Sequence, residues 1–300
     1  MTTPTPTLFA DEFEREAIDR IRRFAALASK MGFVPVLGFS GGKDSQVCYD
    51  LCKRAGIEFR AVFCHCFESA TTLHFIRKYY PEIEWRRYVK QGFFANVKQN
   101  HCGLLPTVEF AYCCTDYKHN PHYVDAASII GVRKEESTKR AQRKVLETKN
   151  KTFLKRNVKT ISEYFSAGCV ASGAPSEIQL KPIIDWSEND VWNYIRNHQL
   201  PVNPEYKQCN RVGCVICPKA NLTHNYRALM AMPKLIDAVI KCRNNYGDWV
   251  IFSENKDYSD NKAEYVCRWL NHSFRPFSKV QRVLADKVIA NYNHSKSLYL

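Results

Sequence analysis

A short polar segment that combines glycine, lysine and hydroxyl residues could bind phosphate. It consists of Ser40, Gly41, Gly42, Lys43, Asp44 and Ser45. Adjacent glycines let backbone amides approach phosphate oxygens closely, and an ammonium group with hydroxyl donors adds charge and hydrogen bonds. A Walker A loop needs four residues between its glycines, so the spacing excludes the phosphate site of an ordinary kinase or GTPase. We therefore predict a phosphate-binding loop of another class.

A strand and a helix flank this loop. Residues 34–39 form a short apolar run that predicts a buried strand, and residues 45–54 have the pattern of a helix. The helix N-terminus favours a bound anion through its free N–H groups and its dipole. Apolar runs and helical segments alternate downstream: strands at 59–64, 83–89, 128–132 and 181–185, and helices at 70–80 and 190–197. The pattern Ser-Glu-Asn-Asp at 187–190 predicts a capping box at the start of the last helix. This alternation predicts an α/β fold, a parallel twisted sheet with helices on both faces.

The chain ends predict helices outside the sheet. Apolar residues recur at steps of three and four over residues 8–31, which predicts an amphipathic helix that packs on the core. Residues from about 221 onward have helical patterns without a detectable repeat. We expect three parts: an N-terminal helix (1–31), a phosphate-loop domain that carries the cysteine cluster (32–220) and a helical C-terminal region (221–300). The basic stretch 133–160 has few apolar positions and predicts a mobile or ligand-ordered loop.

The phosphate loop resembles that of PP-loop (pyrophosphate-loop) enzymes, which hold the pyrophosphate of ATP and split it between the α and β phosphates. A second segment has the pattern Gly-x-Arg-x-x-Glu-Ser-x-x-Arg from Gly131 to Arg140 and resembles the phosphoadenosine phosphosulfate (PAPS) reductase superfamily. Residues 181–195 are similar to that superfamily's strand-to-helix segment. The resemblance implies an adenine nucleotide alpha-hydrolase-like fold of the HUP class. It also implies that Arg133, Ser137 and Arg140 lie near the nucleotide phosphates.

Cysteines form the second chemical feature of the sequence. Cys209, Cys214 and Cys217 lie within nine positions, and the adjacent pair Cys113 and Cys114 lies upstream. Four converging thiolates suit either zinc or an iron-sulfur cluster, and spacing alone leaves the metal open.

Resemblance to known cysteine patterns favours one of these two kinds of metal site. The pattern is similar to the [4Fe-4S] sites of adenylyl-sulfate (APS) reductases and, more closely, of the adenylating protein of bacterial DNA phosphorothioation. This implies a [4Fe-4S] cluster on Cys114, Cys209, Cys214 and Cys217, with zinc as the alternative metal. Cys113 replaces one of these ligands if the reductase pattern applies.

Two chemistries share this resemblance, and the first is adenylation. An intact loop suits a complete ATP, with Lys43 and Mg2+ offsetting charge on leaving pyrophosphate while an acceptor attacks the α-phosphorus. Asp44 is expected to bind Mg2+ or to cap the following helix. The second chemistry is thiol-dependent reduction of APS or PAPS, which in the reductases uses a cysteine in a C-terminal tail. Here the last cysteine is Cys267 and the tail has no thiol, so adenylation in sulfur metabolism is preferred. A third hypothesis is a nucleotide-sensing module without turnover.

Composition indicates the partners. A net charge of +14 favours polyanions, so we expect an adenine nucleotide and consider nucleic acid, together with a sulfur-donor protein. The N-terminal residues lack a basic stretch followed by an apolar run, and no segment approaches the ~18 apolar residues of a membrane span. We therefore expect a cytoplasmic protein without a membrane partner. Its 13 cysteines are then reduced thiols or metal ligands.

Overall fold

The computed structural model describes residues 8–119, 125–166, 168–172, 176–243, 261–271 and 276–297, with side chains described from residue 12 onward. The chain divides into two compact units that are discontinuous in sequence. Unit 1 consists of Met1–His65, Ala70–Arg86 and His119–Val212, and unit 2 of Cys66–Ser69, Arg87–Lys118 and Gly213–Leu300. The domain bounds predicted from the sequence stay a prediction.

Unit 1 contains a sheet of seven strands within the described residues. They are β1 (Val36–Gly38), β2 (Arg60–Cys64), β3 (Glu84–Arg86), β4 (Ala127–Ile130), β5 (Leu146–Thr148), β6 (Val170–Ala171) and β7 (Ile178–Leu180), in the order β3-β2-β1-β4-β7-β5-β6. The first five strands in this order pair in parallel, as predicted. β5 pairs antiparallel with β7 and parallel with β6, so the predicted parallel sheet has one antiparallel pair at this edge.

Helices cover this sheet with apolar faces. Those of unit 1 are α1 (Leu8–Lys30), α2 (Lys43–Ala55), α3 (Ala70–Tyr79), α6 (Thr138–Ala141), α7 (Lys151–Tyr164) and α8 (Glu188–Asn197). The spacing of Ile21, Phe24 and Leu27 puts all three on one side of α1, where each is fully buried in the core. α8 begins with the predicted capping box, in which the Ser187 hydroxyl accepts from Asp190 N and the Asp190 carboxylate accepts from Ser187 N.

The basic segment 133–160 is more ordered than predicted. It contains β5 and α7, so the prediction of a loop there is wrong. The Asn150 side chain caps α7 by accepting from Phe153 N at 2.6 Å, a signal that the sequence reading overlooked. The predicted strand at 181–185 is a turn, and the strand ends at Leu180. Pro182 has no N–H group to donate to a neighbouring strand, which favours that end point.

Unit 2 is helical, as the sequence predicts for the C-terminal region. Its described helices are α4 (Phe93–Asn100), α5 (Tyr112–Tyr117), α9 (Leu222–Ala231), α10 (Lys234–Cys242), α11 (Lys262–Leu270) and α12 (Lys279–Ser297). Trp269 is fully buried in their shared core, and its indole N–H donates to Pro106 O at 2.7 Å. None of the described helices has the length and apolar character needed to cross a membrane.

Candidate functional site

The phosphate loop lies at the carboxyl end of β1, where the strand order of the sheet reverses direction. β1 pairs with β2 on one side and with β4 on the other, and the chain leaves the two flanking strands toward opposite edges. In open α/β sheets, ligands bind outside the carboxyl ends of the strands at such a switch point. The sheet topology therefore supports the loop as a ligand site independently of its composition.

Two serine hydroxyls brace the loop from within. The Ser45 hydroxyl donates to Gly42 O at 2.8 Å and accepts from Ser40 N at 3.1 Å. The Ser40 hydroxyl lies 3.1 Å from that of Ser45 and accepts from Gly42 N. Both hydroxyls therefore shape the loop. The prediction that they donate to phosphate stays a prediction.

Gly41 has no room for a side chain. Its φ is +73°, which favours glycine, and an added Cβ would lie 3.0 Å from Ile76 Cδ1. Its carbonyl accepts from Gln46 Nε2 at 3.0 Å and from Asn203 Nδ2 at 3.1 Å. Sequence reasoning missed both amide side chains, because neither lies in the glycine motif. They hold the loop in a conformation that a substituted residue could not adopt.

Charged groups of the loop form a compact network. The Lys43 ammonium, nearly buried, lies 3.4 Å from the carboxylates of both Asp44 and Glu188. Arg133 Nε donates to Asp44 Oδ1 at 2.6 Å, and its Nη1 donates to Glu135 Oε2 at 2.8 Å. Burial opposes the Arg133 charge, but the carboxylates, Asp44 first, outweigh burial and raise its pKa. The structure thus brings two predicted phosphate ligands, Lys43 and Arg133, onto one carboxylate.

Close packing of β4 against α2 makes this network possible. A Cβ added at Gly131 would lie 2.8 Å from the backbone carbonyl carbon and oxygen of Asp44, so only glycine fits there. The other two predicted residues of this segment have local roles. The Ser137 side chain caps α6 by accepting from Arg140 N, and the Arg140 guanidinium pairs with Glu136. Their contact with a nucleotide stays a prediction.

A short 3-10 helix, Pro204–Lys207, contributes a further contact to the loop. The Tyr206 hydroxyl accepts a hydrogen bond from Lys43 N at 2.8 Å, and the Lys43 ammonium lies 5.8 Å from the Tyr206 ring centre. Trp192 packs edge-on against the same ring at 5.1 Å. The Asn-Pro sequence at 203–204 indicates a turn, but nothing in its spacing indicates contact with a loop 160 positions earlier.

Unit 2 contains most of the predicted metal ligands. Cys113 and Cys114 are on α5, and Cys214 and Cys217 lie just after Gly213, where the chain re-enters unit 2. Residues 68 and 214 form an antiparallel bridge, with Val215 N donating to Phe67 O at 2.8 Å. The fully buried Asn225 side chain binds both the N–H and the carbonyl of Cys217. Backbone pairing thus holds the main chain at Cys214, and the buried Asn225 amide holds it at Cys217.

Hydrogen bonds between neighbouring thiols give the cysteines of this part of unit 2 different pKa values. The Cys113 thiol lowers the pKa of Cys114 to about 6, and the Lys118 ammonium acts in the same direction. The Cys66 thiol, which sequence reasoning assigned no role, lowers the pKa of Cys214 in the same way. Burial raises the pKa of Cys217. Five of the thiols of unit 2 therefore belong to this set, at positions 66, 113, 114, 214 and 217, and two of them favour the thiolate form that binds metals.

Cys209, the other predicted ligand, belongs to unit 1. Its thiol donates to the carbonyls of Glu205 and Arg211 at 3.2 and 3.1 Å. Within the part of the chain that the structure describes, no group of three or more His, Cys, Asp or Glu side chains is arranged to hold a metal ion. The ligand set and the cluster therefore stay predictions.

Comparison with known proteins identifies relatives of sulfur metabolism. The chain is 23% identical over 247 residues to an uncharacterised protein of Methanocaldococcus jannaschii. This alignment covers 79% of this chain and 54% of that protein. It is 24% identical to sulfate adenylyltransferase subunit 2 of Parabacteroides distasonis, over 65% of this chain and 66% of the relative. The chain thus covers less than two thirds of either relative. The crystal structure of PAPS reductase from Candida auris aligns with a TM-score of 0.43 and 14% identity, over 71% of this chain and 98% of that one.

The profile of one protein family covers more than half of the chain. It matches residues 34–220, which include the phosphate loop, the Arg133 segment and the later cysteines. The match confirms the resemblance on which the sequence interpretation depended. The chain belongs to the phosphoadenosine phosphosulfate reductase domain family.

Proposed function

We propose that this chain binds ATP at the phosphate loop and transfers its adenylyl group to an acceptor, releasing pyrophosphate. An acceptor oxygen attacks the α-phosphorus while the bond from that phosphorus to the bridging oxygen breaks, and pyrophosphate leaves with the electron pair. The observation that carries this proposal is the braced, intact loop at the sheet's switch point, with Lys43 and Arg133 beside it. Positioning and electrostatic stabilisation supply most of the rate in such a reaction.

Asp44 acts in this proposal by holding the two cations. Its two carboxylate oxygens are engaged by Arg133 at 2.6 Å and by Lys43 at 3.4 Å. A carboxylate so engaged orients phosphate-binding groups rather than binding a metal directly, so the Mg2+ that accompanies ATP is expected to be held chiefly by the phosphates. The ion then offsets charge on the leaving pyrophosphate.

A [4Fe-4S] cluster in unit 2 is part of the same proposal. The thiols there fit the cluster in number and kind, because soft thiolates are its usual ligands and two of them have lowered pKa values. Cys114, Cys214 and Cys217 would hold it, with Cys113 as the fourth ligand. The hydrogen bond between the Cys113 and Cys114 thiols favours Cys113. When bound, such a cluster supplies electron transfer or fixed local charge.

Reduction of APS or PAPS is the second candidate, favoured by the reactive character of Cys114. The Cys113 thiol and the Lys118 ammonium lower the pKa of Cys114, which favours its thiolate form. Cys267, the last cysteine of the sequence, is fully buried on α11, and burial raises its pKa to about 12. It is therefore a poor nucleophile.

A partner subunit follows from the adenylation proposal. One relative is named as a subunit of sulfate adenylyltransferase, so a second protein is expected to supply or receive the acceptor. Sulfate, a sulfur-carrier protein and nucleic acid are the acceptors to try, the last because the chain carries a net charge of +14.

The test separates the two chemistries by their products. Protein purified without oxygen is incubated with Mg-ATP and, separately, with APS or PAPS plus a thiol reductant, and the nucleotides are separated by chromatography. We expect pyrophosphate from ATP, together with AMP where water takes the place of the acceptor. Lys43→Met should abolish this product, whereas Lys53→Met, an exposed lysine in the last turn of the same helix, should retain it. Sulfite from APS or PAPS with ATP untouched would replace adenylation by reduction.

A further inference from the structure

The amide of Lys43 is already occupied by a side chain of the protein. Lys43 is the first residue of α2, so its N–H has no acceptor within the helix and points out of the N-terminal end. Tyr206 supplies that acceptor, with an N to hydroxyl oxygen distance of 2.8 Å. This is the length of a good hydrogen bond, and the donor belongs to the phosphate loop itself.

A phosphate oxygen would need the same place. An amide N–H makes one well-aligned hydrogen bond, so an oxygen of the nucleotide and the Tyr206 hydroxyl cannot both accept it at short distance. The Lys43 ammonium is also engaged, at 3.4 Å from the carboxylates of Asp44 and Glu188. The two donors that Lys43 could offer to phosphate are thus both bound to the protein's own oxygens.

The segment that carries Tyr206 is anchored one turn before it. Asn203 is fully buried, and its amide donates to Gly41 O at 3.1 Å and to the Thr72 hydroxyl at 3.3 Å. Tyr206 itself is half-buried, and its hydroxyl contacts a loop amide while Asn203 holds a loop carbonyl. Asn203 binds the carbonyl of Gly41, whereas Tyr206 binds the amide of Lys43. Release of the Tyr206 hydroxyl therefore leaves the contact of Asn203 with the loop in place.

We propose that Tyr206 is a latch on the phosphate loop. Its hydroxyl holds the Lys43 amide in the ligand-free protein and leaves when a nucleotide phosphate takes that hydrogen bond. The inference rests on the nucleotide binding proposed above and adds a residue that regulates it. Each binding event then exchanges one hydrogen bond for another, so the latch weakens phosphate binding and removal of the hydroxyl strengthens it.

Calorimetric titration with inorganic pyrophosphate and with Mg-ATP tests the latch. We expect Tyr206→Phe to bind both about three- to tenfold more tightly than the wild type, the size of one neutral hydrogen bond. Tyr194→Phe is the matched control, because its hydroxyl also bonds to α2, at Asp50 in the helix's later half. It should bind both ligands as the wild type does. Unchanged or weaker binding by Tyr206→Phe would overturn the latch.

A second measurement tests the contact without any ligand. In ligand-free protein, hydrogen exchange of the Lys43 amide, followed by NMR, should be about tenfold faster in Tyr206→Phe than in the wild type. Equal exchange rates in the two proteins would also overturn the proposal.

Product analysis separates this proposal from the adenylation chemistry. Tighter binding by Tyr206→Phe without AMP formation keeps the latch and removes adenylation. AMP formation by the wild type without tighter binding by the variant removes only the latch. If neither protein binds pyrophosphate or ATP, both proposals fail.

Discussion

Gly131→Ala should damage the phosphate loop from behind. The added Cβ would lie 2.8 Å from the carbonyl carbon and oxygen of Asp44 and 3.1 Å from Ser45 N. These are backbone atoms at the start of α2, which cannot swing aside as the end of a flexible side chain can. Gly131 has no positive φ, so the effect isolates the volume of one methyl group.

The expected cost is that of overpacking, about 1–3 kcal/mol of unfolding free energy. For domains of 150–250 residues each kcal/mol lowers Tm by roughly 2–4 °C, so thermal unfolding should show a fall of about 2–12 °C. The start of α2 must move to relieve the contact, which carries Asp44 away from Arg133. We therefore also expect about tenfold weaker binding of Mg-ATP in a calorimetric titration, the size of one hydrogen bond to a charged group.

Gly38→Ala is the matched control. It lies on the neighbouring strand β1, and its added Cβ would meet Ile130 Cγ2 at 3.6 Å and Ile129 O at 3.8 Å, which are ordinary van der Waals distances. It should unfold and bind nearly as the wild type does. The reasoning is refuted if Gly131→Ala has the Tm and affinity of Gly38→Ala.

Three further predictions concern charge and metal. Asp44→Asn leaves Lys43 and Arg133 without their shared carboxylate and should lower the unfolding free energy in urea by about 1–3 kcal/mol. Burial lowers the pKa of Lys181 to about 8 from an ordinary 10.5, so the unfolded chain binds its proton more tightly. Stability should therefore rise by up to about 3 kcal/mol between pH 8 and 10.5, and Lys181→Met should remove this rise. Cys114→Ser should lose the iron and the visible absorption of protein purified without oxygen.

Each of these predictions has its own control. Asp19→Asn removes an exposed partner of Arg23 and should change the unfolding free energy by at most about 0.5 kcal/mol. A Lys181→Met variant whose stability still rises between pH 8 and 10.5 would assign that rise to another group. Cys102→Ser removes an exposed cysteine and should keep its iron, and equal iron in Cys114→Ser would exclude Cys114 as a ligand.

The sequence predicted helices well where the spacing of apolar residues or a capping pattern marked them. The helix over 8–31 is observed at Leu8–Lys30, and the box at Ser187 begins α8 as predicted. It failed in the segment 133–160, where high charge concealed β5 and α7. β5 depends on partners from outside its own segment: its buried Glu147 carboxylate accepts from Ser172 and pairs with Lys181. No local pattern contains that compensation.

The sequence by itself determined the chemistry available at the loop, because glycine freedom, a lysine charge and a helix start are properties of adjacent residues. Tertiary structure alone decided which distant groups meet that loop. Arg133 reaches Asp44 across 89 positions, and Tyr206 reaches Lys43 across 163. The order of the strands and the close packing of β4 on α2 bring distant residues together at the loop. Neither feature can be predicted from the spacing of residues along the chain.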